Sequence, residues 1–349
     1  MTPDATIVVT GAGGGLGSAM AAHVSRHLGH YHAIYTVRDT SRPHEALRAA
    51  LRQPTSSQHS HQIVSLDLAR LSSVRAFAAS VNRRVASGEI PSIRALILNA
   101  GLLEFDKQMW APAADGGFDM TFASNYLGHW LLTLLLLESM DRTCGRVVVV
   151  GSSTHDPSIP MIARHYPSEA LKTFIHGSTD PLATGSWSSN KEDPTYHSGF
   201  RRYGAAKMCL AMMVGELQRR LAVDPALNCI STVGIDPGTM STGIVRNSNW
   251  FVRVVVHGIV IATLARLIAI IWPSPNGALR TPEKSAKDVI DAALATAKWQ
   301  NKGGLYLDGS ELSDMSEEAK DPGKRALVWR DSVRYTGLKQ EETMLVNWN

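Results

Sequence analysis

The chain has 349 residues, 44% hydrophobic and 19% charged, with a formal net charge of +4. That is enough apolar material for a sizeable core and too little charge for a disordered chain, while the scattered Lys and Arg exclude a nucleic-acid-binding stripe. Cys144, Cys209 and Cys229 show no metal-ligand spacing, and no leader pattern precedes the first strand, so a cytoplasmic protein without structural disulfides is expected.

In chain order, short β-branched runs are predicted as strands at 6–10, 33–37, 62–66, 95–99, 146–150, 229–235 and 305–307. Helical patterns fall between the first six, at 16–28, 43–51, 71–86, 118–140 and 203–222. Alternation of this kind predicts a doubly wound parallel α/β sheet, and the early strands are apolar throughout, as strands covered on both faces should be. One domain over 1–349 is expected, with two insertions forming a cap for substrate at about 154–202 and 239–281. The first insertion is rich in Pro, Ser, His and Gly with weak periodicity; His155, His165, His176 and His197 within it read as surface loop histidines. The second carries the apolar run 250–272, interrupted by Arg253 and Arg266, which suits a helix pair over a pocket or peripheral membrane contact better than a full span.

The first strand runs into Thr10-Gly11-Ala12-Gly13-Gly14-Gly15-Leu16-Gly17 and then a helix. Glycines here permit a tight turn, a close backbone approach to a diphosphate and close helix–strand packing, and the helix start offers free N–H groups to the anion. At the end of the second strand Arg38, with Arg42 as helper, stands where a 2′-phosphate needs a cation, so NADP(H) is favoured over NAD despite Asp39 next door. Asp67, followed by Leu68, closes the third strand and reads either as an acceptor for the adenine amino group or as a helix-entry acid.

Tyr203 and Lys207 are four apart, on one face of a helix. Ser152 follows the fifth strand and Asp236-Pro237-Gly238-Thr239 closes the sixth, both at the edge where open α/β sheets bind ligands. Asn125 lies mid-helix, where an amide is out of place.

Thr10-Gly11-x3-Gly15-x-Gly17, Asn99-Ala100-Gly101, Asn125, Ser152, Tyr203-x3-Lys207 and Pro237-Gly238, in this order, resemble the short-chain dehydrogenase/reductase family over nearly the whole chain. Val37-Arg38-Asp39, Asn125-Tyr126-Leu127-Gly128-His129 and Gly304-Leu305-Tyr306 are similar to the retinol dehydrogenase, WW-domain oxidoreductase and protochlorophyllide reductase-like branch, including reductases of fungal secondary metabolism. The resemblance implies a Rossmann fold and a nicotinamide cofactor. It implies Tyr203 as proton donor or base, Lys207 lowering its pKa and holding the ribose, and Ser152 bonded to the substrate oxygen. It implies Asn125 positioning a water that relays protons to Lys207, Asn99 tying the central strands together, and Pro237-Gly238 bordering the nicotinamide.

The expected activity is NADPH-dependent reduction of a bulky hydrophobic ketone, or oxidation of the alcohol, with reduction of an activated C=C bond as the alternative and a non-catalytic scaffold as a lesser one. The apolar 118–140 and 203–222 helices suit a homodimer contact. One departure from the family pattern is plain: Ser152 and Tyr203 are 51 positions apart, where a dozen or so is usual, so the first insertion must fold outward and bring Tyr203 back.

Overall fold

The computed structural model describes residues 3–28, 30–52, 60–105, 107–240, 276–277, 279–294, 299 and 302–349. The strands are β1 (Ala5–Val9), β2 (Tyr31–Val37), β3 (Ser60–Ser65), β4 (Ile93–Leu98), β5 (Arg146–Val150), β6 (Ser231–Asp236), β7 (Leu305–Asp308) and β8 (Glu311–Ser313). They form one sheet in the order β3-β2-β1-β4-β5-β6-β7-β8. Pairing is parallel throughout except for the β7–β8 hairpin, where Asp308 faces Glu311. All seven expected strands are present; β8 is an addition too short to carry a periodic signal.

Alternate side chains along the central strands enter different cores, as a period of two dictates. Leu96 and Leu98 of β4 and Val147 and Val149 of β5 join one apolar cluster, whereas Ala95, Ile97, Val148 and Val150 join the other. The first cluster is closed by α3 (Leu71–Ala86), α4 (Met120–Ser139) and α5 (Tyr196–Ala222). The second is closed by α1 (Gly15–His27), α2 (Glu45–Leu51) and α6 (Pro282–Ala293). Sheet and helices thus make the doubly wound architecture, which puts the strand ends that carry Thr10, Asn99, Ser152 and Asp236 on one edge.

α4 is long and apolar enough to cross a membrane, yet 89% of that stretch is buried inside the chain, so it is a core helix. A C-terminal helix, α7 (Pro322–Thr336), lies over α4 and α5: Trp329 meets Trp130 edge to face at 5.1 Å, and Ser332 bonds the Tyr126 hydroxyl at 2.7 Å. On the α4 face that carries Tyr126 and Trp130, α7 therefore supplies a cover from within the chain.

The first insertion is built rather than loose. It carries short helices at Pro160–Ala163, Glu169–Lys172 and Asp180–Ala183, and buries Phe174, Ile175 and Leu182 in the first core. Glu318 accepts the N–H groups of Phe174 and Ile175 at 3.0 and 2.9 Å, and Asp331 accepts the Thr179 N–H at 3.1 Å. α5 begins inside the expected loop, seven residues before Tyr203, because Thr195 caps it by accepting the His197 N–H. The apolar run 250–272 lies outside the described residues.

Candidate active site

Gly11 takes φ +66°, and a Cβ there would stand 2.7 Å from the Ala100 Cα; one on Gly17 would stand 2.5 Å from the Gly11 carbonyl oxygen. The turn is a cradle that side chains would fill. α1 then starts at Gly15 behind an N-cap, Gly14, that supplies no side-chain acceptor, and no acid occupies the first turn. Its leading N–H groups are therefore available to an anion, as a diphosphate requires. Leu16 is buried beneath the turn.

The turn is braced from behind. Thr10 Oγ1 accepts the N–H groups of Asn99 and Ala100 at 2.8 and 3.0 Å, and the Asn99 amide donates to the Thr10 carbonyl at 2.8 Å. Having accepted twice, the Thr10 hydroxyl has one proton to give, with His129 Nε2 at 3.0 Å and the Ile97 carbonyl at 3.3 Å both in reach. His129 Nδ1 faces the Asn125 carbonyl at 3.0 Å and so must carry the ring proton. This chain ties β1, β4 and α4 together behind the glycine turn; His129 is a member that sequence reasoning did not single out. Asn125 sits in a π turn, Ala123–Leu127, of α4. Its amide clamps the backbone of Leu102, accepting the N–H at 2.9 Å and donating to the carbonyl at 2.8 Å, which holds the segment after Gly101.

At the adenosine end, Asp39 Oδ1 accepts the N–H and hydroxyl of Ser41 at 2.9 and 2.6 Å, and its Oδ2 lies 3.4 Å from Arg42 Nε. Those bonds hold the Asp39 carboxyl below its ordinary pKa, Ser41 contributing most. Arg38 is exposed and makes no ion pair among the described residues. His44 was missed by sequence reasoning: a Cβ on Gly13 would touch its ring at 2.6 Å, and its Nε2 donates to the Asp39 carbonyl. Asp67 Oδ1 accepts the Ala69 N–H at 3.1 Å and Oδ2 lies 3.7 Å from Arg70, so it does shape the entry to α3; Leu68 is buried beside it.

Ser152, Tyr203 and Lys207 converge at the ends of β5 and β6. The Ser152 hydroxyl accepts from the Thr154 hydroxyl at 3.0 Å and the Thr154 N–H at 3.3 Å, leaving its own proton for the site. That hydroxyl acts on Tyr203, pulling the phenol pKa down, while burial first and Asp236 second push it up, and the net shift is upward. Lys207 Nζ donates to the Val150 carbonyl at 2.7 Å and lies 5.5 Å from the Tyr203 ring centre. Lys207 is not among the groups that shift the phenol, its ammonium being turned to the Val150 carbonyl.

Two residues that the sequence reading named without a role at the site hold Ser152 in place. Its N–H donates to the Tyr306 hydroxyl at 3.2 Å, and its carbonyl accepts from His155 Nδ1 at 2.6 Å. His155 in turn accepts the Ser316 N–H, so both ring nitrogens are used. His155 and His165 are buried, which corrects their reading as surface histidines; His176 is exposed. Tyr306 lies 154 positions from Ser152 and Ser316 lies 161 from His155, so no local pattern reports those contacts. Beyond β6, the Gly238 N–H donates to Asp236 Oδ1 at 2.8 Å, the Pro237 carbonyl accepts from Ser285 at 2.6 Å, and the Thr239 carbonyl accepts the Arg280 N–H at 2.8 Å. This fixes the segment expected to border the nicotinamide.

The family model for short chain dehydrogenases matches residues 5–184. The chain is also 43% identical over 370 residues to the short-chain dehydrogenase iccH of Talaromyces variabilis, with all of both chains covered. The chain belongs to the short-chain dehydrogenase family. Its members are oxidoreductases that use nicotinamide cofactors. It is similar too to a polyprenol dehydrogenase of Mus musculus, at 28% identity over 354 residues, covering 99% of this chain and 88% of that one. Its fold matches the NADPH-bound carbonyl reductase from chicken fatty liver with a TM-score of 0.54 at 16% identity, covering 90% and 95% of the two chains.

Proposed function

We propose that this chain is an NADPH-dependent carbonyl reductase, or the reverse alcohol dehydrogenase, for a bulky hydrophobic ketone or alcohol, with Tyr203 as general acid/base. The observation that carries this reading is the convergence of the Ser152 hydroxyl, the Tyr203 phenol and the Lys207 ammonium beside the glycine cradle.

When bound, NADPH supplies the hydride. Residues 10–17 with Asn99, Ala100 and Gly101 would hold its diphosphate half, Lys207 its nicotinamide ribose, and Pro237, Gly238 and Thr239 the border of its ring. Arg38 supports the phosphorylated form, since it has no ion-pair partner among the described residues while the competing Asp39 is already engaged by Ser41 and Arg42. Asp67 and Leu68 would line the adenine.

Ser152 donates its spare proton to the substrate oxygen and so favours negative charge developing there. Tyr203, its pKa raised by burial, keeps its proton at neutral pH and delivers it to that oxygen. Lys207 would favour the phenolate left behind once its ammonium turns from the Val150 carbonyl toward the site. Asn125 would position a water that relays protons to Lys207, as the family resemblance implies. The apolar run 250–272 and the similarity to a polyprenol dehydrogenase support a hydrophobic substrate, and the same run supports peripheral membrane contact.

The test is NADPH oxidation across a panel of hydrophobic ketones, with deuterium delivered from labelled cofactor. The label should appear on the carbinol carbon; label on a former alkene carbon would assign C=C reduction instead. Tyr203→Phe should slow turnover by about 10²–10⁴-fold and leave NADPH affinity unchanged. Wild-type turnover in that variant would falsify the assignment.

A further inference from the structure

Two consecutive arginines bring the long insertion back to the site. Arg201 donates to the His165 carbonyl at 3.0 Å, Ser188 Oγ at 2.8 Å and Asp193 Oδ2 at 2.6 Å. Arg202, adjacent to Tyr203, donates to the Ser188 carbonyl at 2.7 Å and to Glu104 Oε2 at 3.2 Å, while its Nε lies 3.2 Å from Asp119 Oδ2. Glu104, Asp119 and Arg202 are all buried. Glu104 also accepts the Met109 N–H and the Thr121 hydroxyl. Asp119 caps α4 through the N–H groups of Thr121 and Phe122 and accepts from Gln108. One guanidinium therefore joins the segment after β4, the start of α4 and the insertion to the residue that precedes the phenol.

We infer that Arg202, gripped by Glu104 and Asp119, is a positioning residue for Tyr203, and that the protonation of Glu104 sets how firmly it holds. The inference rests on Tyr203 being the proton donor. Among the described residues, the charged groups paired within this cluster are those three alone; the insertion contributes only the neutral Ser188 carbonyl. Burial pushes both carboxyls up, so they contend for one proton; with Glu104 holding it, one carboxylate balances one guanidinium. With both ionised, the cluster carries an excess negative charge away from water, which is relieved by opening. Burial, and after it Asp119, push the Glu104 pKa up to about 7 against the pull of Arg202, so the balance changes in the working range.

The experiment uses the full chain, NADPH and phenanthrenequinone as a hydrophobic carbonyl probe. Arg202→Lys keeps the charge but cannot span both carboxylates; it should lower kcat by roughly tenfold while NADPH affinity moves less than about twofold. Glu104→Gln should remove from the kcat profile the fall that the wild type shows as pH rises through about 7. A kcat for Arg202→Lys within about twofold of wild type, or an unchanged profile in Glu104→Gln, overturns the inference. Should either variant fail to fold, a carboxyl-carbon NMR titration of the wild-type chain decides: Glu104 titrating near 7 supports it, and an ordinary carboxylate midpoint overturns it. Loss of turnover in Tyr203→Phe beside normal Arg202→Lys sinks this inference alone; a wild-type chain that does not reduce the probe sinks the underlying function, and the NMR titration still reads the cluster.

Discussion

Lys207 Nζ donates to the Val150 carbonyl across 2.7 Å, which sets the ammonium at the last residue of β5, two residues before Ser152. The group is buried, and desolvation brings its pKa down to about 8 although Asp236 resists. A lysine whose folded pKa lies below its ordinary value carries its burial penalty in full below about 8 and sheds it as pH rises from there toward 10.5. Lys207→Met should therefore make the cofactor-free fold more stable at neutral pH, by about 1–2 kcal/mol, while turnover falls at least ~100-fold. Urea unfolding alongside NADPH oxidation checks both halves; a destabilised variant would contradict the penalty.

The glycine turn allows a contrast between neighbours. Gly11→Ala forces a Cβ against the Ala100 backbone at a φ of +66°, so a loss of about 1–3 kcal/mol and of dinucleotide binding is expected. At Gly14 a Cβ would meet only the Gly11 carbonyl oxygen, at 3.4 Å, and φ is −81°. Gly14→Ala should stay within about 1 kcal/mol of wild type. Equal losses in thermal unfolding would mean that the close approach to Ala100 is not what the turn needs.

What could be read from the chain in advance divides along the range of the interactions. Strands and helices were legible because their patterns repeat every two or 3.6 residues within one segment, and the glycine turn because its demands are local. Ser152, Tyr203 and Lys207 were legible through order and spacing, a pattern that the sheet edge then brings together. Tyr306 and His155 holding Ser152, or Arg202 reaching Glu104, depend on pairs about 100 or more positions apart or on a fold around them, and no local periodicity reports those. His155 and His165 looked like loop residues because their segment has no helical period; its burial comes from Phe174, Ile175 and Leu182 docking into a core built elsewhere. Asn125 looked out of place mid-helix, and the π turn with its clamp on Leu102 is the physical reason.

On the proposed reading, cofactor choice would rest on a division of labour between Arg38 and Arg42. Arg42 is drawn to Asp39, whereas Arg38 has no ion-pair partner among the described residues and is the cation available to a 2′-phosphate. Arg38→Ala should weaken NADPH binding by roughly 10–100-fold, the range for a lost hydrogen bond to a charged group, and leave NADH within about twofold. Fluorescence titration of both nucleotides measures this. Parallel weakening of the two would place Arg38 outside the phosphate's reach.

His129 makes acid sensitivity a property of the cofactor cleft. The ring is fully buried, donates through Nδ1 to the Asn125 carbonyl and accepts the Thr10 hydroxyl at Nε2, so a second proton would charge it away from water and turn the Thr10 hydroxyl toward the Ile97 carbonyl, 3.3 Å away. Desolvation dominates, with Lys207 adding to it, and the pKa falls from 6.5 to about 3. Because the folded value lies below the unfolded one, the stability is intact above 6.5 and drains away as pH drops toward 3. At about 1.4 kcal/mol per unit the full effect is bounded near ~5 kcal/mol. His129→Gln keeps an acceptor for Thr10 and loses the Asn125 bond, so it should be about 1 kcal/mol less stable at pH 7. Its urea midpoint should then decline less steeply with acid than the wild type's, until the two curves cross. Parallel curves across that interval would mean that another group sets the acid limit of the fold.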